Sequence, residues 1–177
     1  MSFRPGQLLA LSLRYAVLGE EHQRSVMELV TEQLVTPYGL RTLAPQEKGY
    51  QGQVKKNARE RLQTLHQGSV WPWLMGPYVD ALLRLEQSGA GSTTSSQRHT
   101  WHRGLRTLES FRKLATNGML GMIGDVYDGD AITVEDLRAS LCGERQAASA
   151  MSTGELLRVY KLLAQTGMRH LDPVFSV

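Results

Sequence analysis

The chain of 177 residues contains one cysteine, Cys142, so an internal disulfide is excluded. It has no run approaching the ~18 consecutive apolar residues of a membrane-spanning helix, and we predict no membrane partner. Its first residues show no apolar stretch behind a basic head, the pattern typical of a signal peptide. These absences favour a cytoplasmic protein, and we predict that location.

The chain also has little excess charge of either sign, with 20 basic and 17 acidic residues and a net charge of +3. Nucleic-acid binders usually carry a dense basic stripe, and only residues 98–113 approach one. A basic helical nucleic-acid binder is therefore the weakest of the three hypotheses considered, after the two that are developed below. We predict no nucleic-acid partner. No histidine or cysteine cluster has metal-ligand spacing and no loop has a phosphate-binding pattern, so we predict neither a metal nor a cofactor.

What the sequence does contain is helical periodicity almost throughout. Apolar residues recur at intervals of three and four, which predicts helices over residues 7–18, 26–34, 71–83, 101–114 and 152–163. No segment shows the alternation typical of a strand, so the predicted class is all-α.

Capping signals mark two helix starts, one of them in a further helix. Ser152 and Glu155 have the spacing of a capping box at the start of the last helix. Thr133 and Asp136 have the same spacing and predict a further, shorter helix. Asn117 is followed by glycine, a pair that is typical of a helix end.

Two connections stand out between the helices. Residues 88–96, rich in serine and glycine, are predicted to form a flexible surface loop. Residues 36–69 form a longer connection that contains prolines and glycines, and long loops in compact domains often carry function. Because the chain on either side of 88–96 is short for a domain, we predict a single domain over residues 1–177.

The most specific segment is residues 66–78, which read His-Gln-Gly-Ser-Val-Trp-Pro-Trp-Leu-Met-Gly-Pro-Tyr. Indole rings stack on the apolar faces of sugar rings and neighbouring polar side chains bind the hydroxyls, so this composition favours a sugar site. The alternative is a tryptophan pair in a helical core. Trp71 and Trp73 are two residues apart, which predicts that they point to different faces and that only one of them meets a sugar.

With three other segments, this motif resembles the amylo-α-1,6-glucosidase domain of glycogen-debranching enzymes. Residues 4–12 resemble the family's Arg-Pro-Asn-Gln segment, with Gly6 in place of asparagine. Residues 36–43 match its Thr-Pro-Tyr-Gly-Leu-Arg-Thr-Leu segment. Residues 118–130 resemble the segment that bears its general base. The four segments occur in the family's order.

The resemblance implies a partial (α/α)6 toroid of helical hairpins, roughly its C-terminal half. It further implies inverting hydrolysis of α-1,6-linked glucose in glycogen-like glucans, in which an acid protonates the leaving oxygen and a base activates water. Asp125 would occupy the base position. The glucose-binding residues would be Tyr38, Arg41, His66, Gln67, Trp71 and Trp73.

Two departures from the family pattern leave alternatives open. Asp125 stands where the family has glutamate, which shortens the reach of the carboxylate by about 1.5 Å. The family's general acid, in a Thr-Trp-Met-Asp segment, has no counterpart in these 177 residues. The acid would then come from the missing N-terminal half of the barrel or from a second copy of the chain. The alternative is a non-catalytic remnant or a glucan-binding protein.

Several of the predicted site residues also have a purely structural alternative. Tyr38 and Arg41 could be a turn aromatic and a surface charge, and His66 a structural loop histidine. Asp125, Asp128 and Asp130 lack the spacing of an EF-hand calcium loop, which favours a simple turn around Asp128.

Overall fold

The computed structural model describes residues 2–15, 17–55, 57–88, 94–117, 123–131, 133, 136 and 148–171. In chain order the main elements are α1 (Gly6–Ser12), α2 (Glu20–Gln33), β1 (Val35–Thr36), β2 (Gly39–Arg41), α3 (Ala58–Thr64), β3 (Val70–Trp71), a 3-10 helix (Pro72–Leu74), α4 (Met75–Ser88), α5 (Thr94–Asn117) and α6 (Ala150–Leu171). The structure is mostly helical, as predicted.

Helix α4 is the centre of the helical packing. It contacts α1, α2, α5 and α6, and α5 also packs against α6. The apolar spacing of α4 gives it buried residues on several sides, and these join one hydrophobic core with the facing helices. Burial of large side chains drives this packing at roughly 1.5–3 kcal/mol each. The most completely buried of them include Leu8, Leu34, Leu40, Met75, Leu114, Tyr127 and Leu163.

A small antiparallel sheet corrects the prediction that the chain contains no strands. Its order is β1-β2-β3, with Thr36 opposite Gly39 and Leu40 opposite Trp71. These strands are two or three residues long, so alternation in the sequence could not reveal them. Strand β2 and helix α3 lie within the region predicted to be a long loop, whereas β3 lies where that loop meets the predicted helix 71–83.

Several helix boundaries differ from the prediction for identifiable reasons. Helix α1 ends at Ser12 because Leu13 takes an extended conformation. Helix α4 begins at Met75, so Pro77 falls in its first turn, where a missing N–H breaks no intrahelical bond. Helix α6 is capped by Ser149, whose Oγ accepts the N–H of Ser152 at 3.1 Å, and the predicted capping residue therefore lies inside the helix.

The predicted capping pair Thr133–Asp136 does form, while most residues of the short helix predicted to start there lie outside the described ranges. The Thr133 N–H donates to Asp136 Oδ2 at 2.8 Å, and the Asp136 N–H donates to Thr133 Oγ1 at 3.1 Å. The predicted loop 88–96 overlaps the end of α4 and the start of α5, so its ends are helical, while its central residues lie outside the described ranges. Cys142 lies outside them as well. Among the helices in the described ranges, none combines the length and hydropathy needed to cross a membrane.

Candidate functional site

A cavity of about 290 Å³ lies where the start of the chain meets β3 and the 3-10 helix, and we call it the tryptophan cavity. Its size is at the lower end of the range typical of small-molecule sites. Its walls are mainly apolar, with an arginine and a histidine among them. It is lined by Arg4, Pro5, Gly6, Leu9, Thr42, His66, Trp71, Trp73 and Leu74.

Three aromatic rings form a continuous group in this cavity. The ring centroids of His66 and Trp71 are 5.0 Å apart, and those of Trp71 and Trp73 are 6.1 Å apart with planes inclined at 44°. The prediction that the two indoles would face different ways is wrong, because the backbone changes from a strand to a 3-10 helix between them. Both indoles therefore line the same space.

Arg4 holds one edge of the tryptophan cavity together. Its Nη1 donates to the backbone carbonyls of Thr42 and His66, and its Nη2 donates to Gln67 Oε1 at 3.1 Å. Gln67 is not one of the lining residues, but its Oε1 is bonded to Arg4, which is one. Arg4 belongs to the motif at residues 4–12, but nothing in the local spacing of that motif indicates these partners, which lie at positions 42, 66 and 67.

The segment 123–131, which we call the acidic turn, lies beside β3. Val70 and Tyr127 exchange backbone hydrogen bonds, with N···O distances of 2.8 and 2.9 Å. Tyr127 is fully buried, and its Oη accepts the N–H of Gly124 at 2.7 Å, which closes the turn around Asp125. Burial raises the pKa of Tyr127 to about 12. The Asp125 side chain is exposed and is not among the cavity-lining residues.

The acidic turn is also fastened to the loop around residue 52. Tyr50 Oη donates to Asp130 Oδ1 at 2.7 Å, and the Gly129 N–H donates to the Gly52 carbonyl at 2.6 Å. Burial and then the bond to Asp130 raise the pKa of Tyr50 to about 12. Asp128 accepts the N–H of Val54 at 2.6 Å, which is a structural role.

Two glycines lie where the acidic turn packs against the loop before β3. A Cβ added to Gly129 would lie 2.1 Å from the carbonyl oxygen of Gly68. Gly68 itself has φ +133°, and a Cβ there would lie 2.6 Å from the ring of Tyr50. Both positions therefore require glycine, one for space and the other for space and conformation.

The remaining predicted site residues lie on the acidic-turn side of the sheet. Arg41 Nε donates to the Gly129 carbonyl at 2.9 Å, and Tyr38 is buried against the Tyr127 ring with centroids 6.4 Å apart. In a strand successive side chains point to opposite faces, so Arg41 points away from the face shared by the paired residues Leu40 and Trp71. The predicted residues thus fall into two groups on adjoining segments. Across the described ranges, no group of histidine, cysteine, aspartate and glutamate side chains is arranged to hold a metal ion.

Comparison with known proteins agrees with the motifs. The family model described as amylo-alpha-1,6-glucosidase matches residues 1–158. That match includes the tryptophan cavity, the acidic turn and the first residues of α6. No curated protein sequence matches the chain. Because the family model covers most of its length, the chain belongs to the amylo-alpha-1,6-glucosidase family.

Proposed function

We propose that the chain forms part of an (α/α)6 toroid, roughly its C-terminal half, that hydrolyses α-1,6-linked glucose in glycogen-like glucans with inversion. The proposal is supported by family membership and by the packing of α4 against α1, α2, α5 and α6. The cytoplasmic location stays a prediction.

The observation that carries this proposal is the bond pair between Val70 and Tyr127. It brings the strand that bears Trp71 next to the turn that bears Asp125. In inverting glycosidases the base acts on a water at one face of the sugar, while the rest of the pocket holds the ring. An aromatic cavity that holds the sugar ring, beside an acidic turn that carries the base, fits this arrangement.

In the proposed roles, Asp125 activates the water and the tryptophan cavity holds the glucose unit. His66, Trp71 and Trp73 contact the sugar, and Gln67 adds a polar contact at the cavity edge. Arg41 and Tyr38 support the glucose site from the other side of the sheet. There Arg41 holds the acidic turn through the Gly129 carbonyl, and Tyr38 packs against Tyr127. The general acid is supplied from outside these 177 residues, by the other half of the barrel or by a second copy of the chain.

A feature of the indoles supports a functional reading of the cavity. The Nε1 atoms of Trp71 and Trp73 are buried and find no acceptor among the described residues. A buried donor without a partner costs about 1–3 kcal/mol, so this pair is poorly explained by stability alone.

The second candidate function is glucan binding without hydrolysis. Two observations favour it: Asp125 is an aspartate at a glutamate position, and its exposed carboxylate has no hydrogen-bond partner within the described ranges that would orient it. A general base usually needs such orientation to act.

α-Glucosyl fluoride separates the two candidates. Fluoride is a good leaving group and departs without protonation, so its hydrolysis needs the base but not the general acid. We expect the chain to release fluoride above the spontaneous rate and Asp125→Asn to abolish this release while isomaltose binding persists. Saturable isomaltose binding without fluoride release would favour the glucan-binding protein. Neither binding nor release would overturn both candidates.

A further inference from the structure

Arg4, at the edge of the tryptophan cavity, donates four hydrogen bonds. Besides its three partners at Thr42, His66 and Gln67, its Nε donates to Ser2 Oγ at 3.0 Å. All of these acceptors are uncharged. No carboxylate in the described part of the chain forms an ion pair with Arg4. Its positive charge at the cavity wall is therefore not neutralised by an ion pair there.

This arrangement fixes the orientation of the Gln67 amide. An arginine side chain has donors only, so the amide group facing Arg4 must be the oxygen. The Nε2 group of Gln67 is then the one left to bind something else. A charged donor on Oε1 also polarises the amide, which makes its N–H groups stronger donors.

We propose that Arg4 is a positioning residue of the tryptophan cavity. It fixes the His66–Gln67 loop through the His66 carbonyl and turns Gln67 so that Nε2 donates to a hydroxyl oxygen of the bound glucose unit. This inference rests on the proposed function, since it takes the ligand to be a glucose unit. Gln67 supplies the contact and Arg4 supplies its direction.

A double-mutant cycle tests whether Arg4 acts through Gln67. Isomaltose affinity would be measured by calorimetry for the unchanged chain, Arg4→Lys, Gln67→Met and the double variant. Lysine keeps the charge but cannot span four separate acceptors. We expect each single change to weaken binding by about 3- to 10-fold, the loss of one hydrogen bond. The double variant should bind no more weakly than the weaker single variant, because Gln67 is useful only when Arg4 orients it.

Arg59→Lys, at an exposed position in α3, is the matched control and should leave the affinity unchanged. If the two losses multiply in the double variant, Arg4 contacts the sugar independently and the inference is wrong. Unchanged affinity in both single variants also overturns it. If the unchanged chain binds no isomaltose, the proposed function fails and this inference fails with it.

A second measurement covers the case in which Arg4→Lys does not fold. Monodeoxyglucoses would be titrated into the unchanged chain and into Gln67→Met. We expect one hydroxyl whose removal weakens binding to the unchanged chain about 3- to 10-fold but has no effect on the variant. The absence of any such hydroxyl contradicts the inference.

Discussion

Arg41 donates from Nε to the carbonyl oxygen of Gly129 at 2.9 Å, so a side chain of β2 holds the acidic turn that carries Asp125. The family resemblance suggested a sugar contact for this arginine. In the structure it lies between the sheet and the turn, beside the Tyr50–Asp130 bond. The sheet therefore positions both the turn and, on its other face, the aromatic residues of the tryptophan cavity.

The glycine contact between the acidic turn and the loop before β3 predicts a large difference between two glycine-to-alanine changes. Gly129→Ala would place a methyl group against the Gly68 backbone, and we expect a loss of about 1–3 kcal/mol in the free energy of unfolding. Gly154→Ala, inside α6 with no atom within 4 Å of the added carbon, should instead gain about 0.5–1 kcal/mol. Urea denaturation measures both. Equal effects would show that the close approach is absent in solution.

The two tyrosines beside the acidic turn predict a loss of stability at alkaline pH. A tyrosine whose pKa is higher in the folded than in the unfolded protein stabilises the fold fully below the unfolded pKa of about 10. That contribution is lost as the pH rises through the pKa of the folded protein. This pKa is about 12 for both Tyr50 and Tyr127. The melting temperature would be measured by circular dichroism between pH 9 and 12. It should fall less steeply with rising pH for Tyr50→Phe than for the unchanged chain. Tyr15→Phe changes a largely exposed side chain and is the control, and an identical slope in all three proteins would contradict the prediction.

The shared cavity of Trp71 and Trp73 predicts that both indoles contribute to sugar binding. We expect Trp71→Ala and Trp73→Ala each to weaken isomaltose binding by about 10-fold, equivalent to ~1.4 kcal/mol of lost stacking. Trp101→Phe is the control, since its Nε1 donates to the Leu163 carbonyl between α5 and α6 instead. Calorimetry measures the three affinities. A loss confined to one of the cavity tryptophans would restore the view that only one meets the sugar.

The position of Asp125 predicts a gain from its glutamate variant. Asp125→Glu extends the carboxylate by about 1.5 Å, and misplacement of roughly 1 Å can cost ~100-fold in rate. If the chain is the proposed hydrolase, fluoride release from α-glucosyl fluoride should rise by up to ~100-fold. Glu47→Asp, which shortens a carboxylate that accepts the N–H of Phe3, should leave the rate unchanged. No gain over Asp125 would mean that this carboxylate is not placed as the base.

The parts of the fold that the sequence predicted are those built from long periodic segments. Helices α2, α5 and α6 each extend over fourteen residues or more, so an apolar stripe is visible in each. The sheet escaped prediction because two or three residues cannot display alternation. The start of α4 was placed too early because Trp71 continues the helical spacing of the residues that follow, although it belongs to β3.

The structure shows where the predicted site residues lie, and they group differently from the prediction. Trp71 and Trp73 were predicted to face different ways but lie together with His66, while Tyr38 and Arg41 lie across the sheet. Strand pairing decides which residues share a face, and the strands were not foreseen. Arg4 escaped prediction for a similar reason: its partners are carbonyl oxygens, which have no signature in a sequence.

The tight packing of Gly68 against Gly129 has a consequence for how this site can diversify. Because no methyl group fits between the two backbones, the spacing between cavity and turn is set by the main chain rather than by side chains. New specificities are therefore expected to arise by exchanging the rings and polar groups on the cavity wall. Insertions and deletions in relatives should fall in the exposed connections and spare residues 68–70 and 124–129.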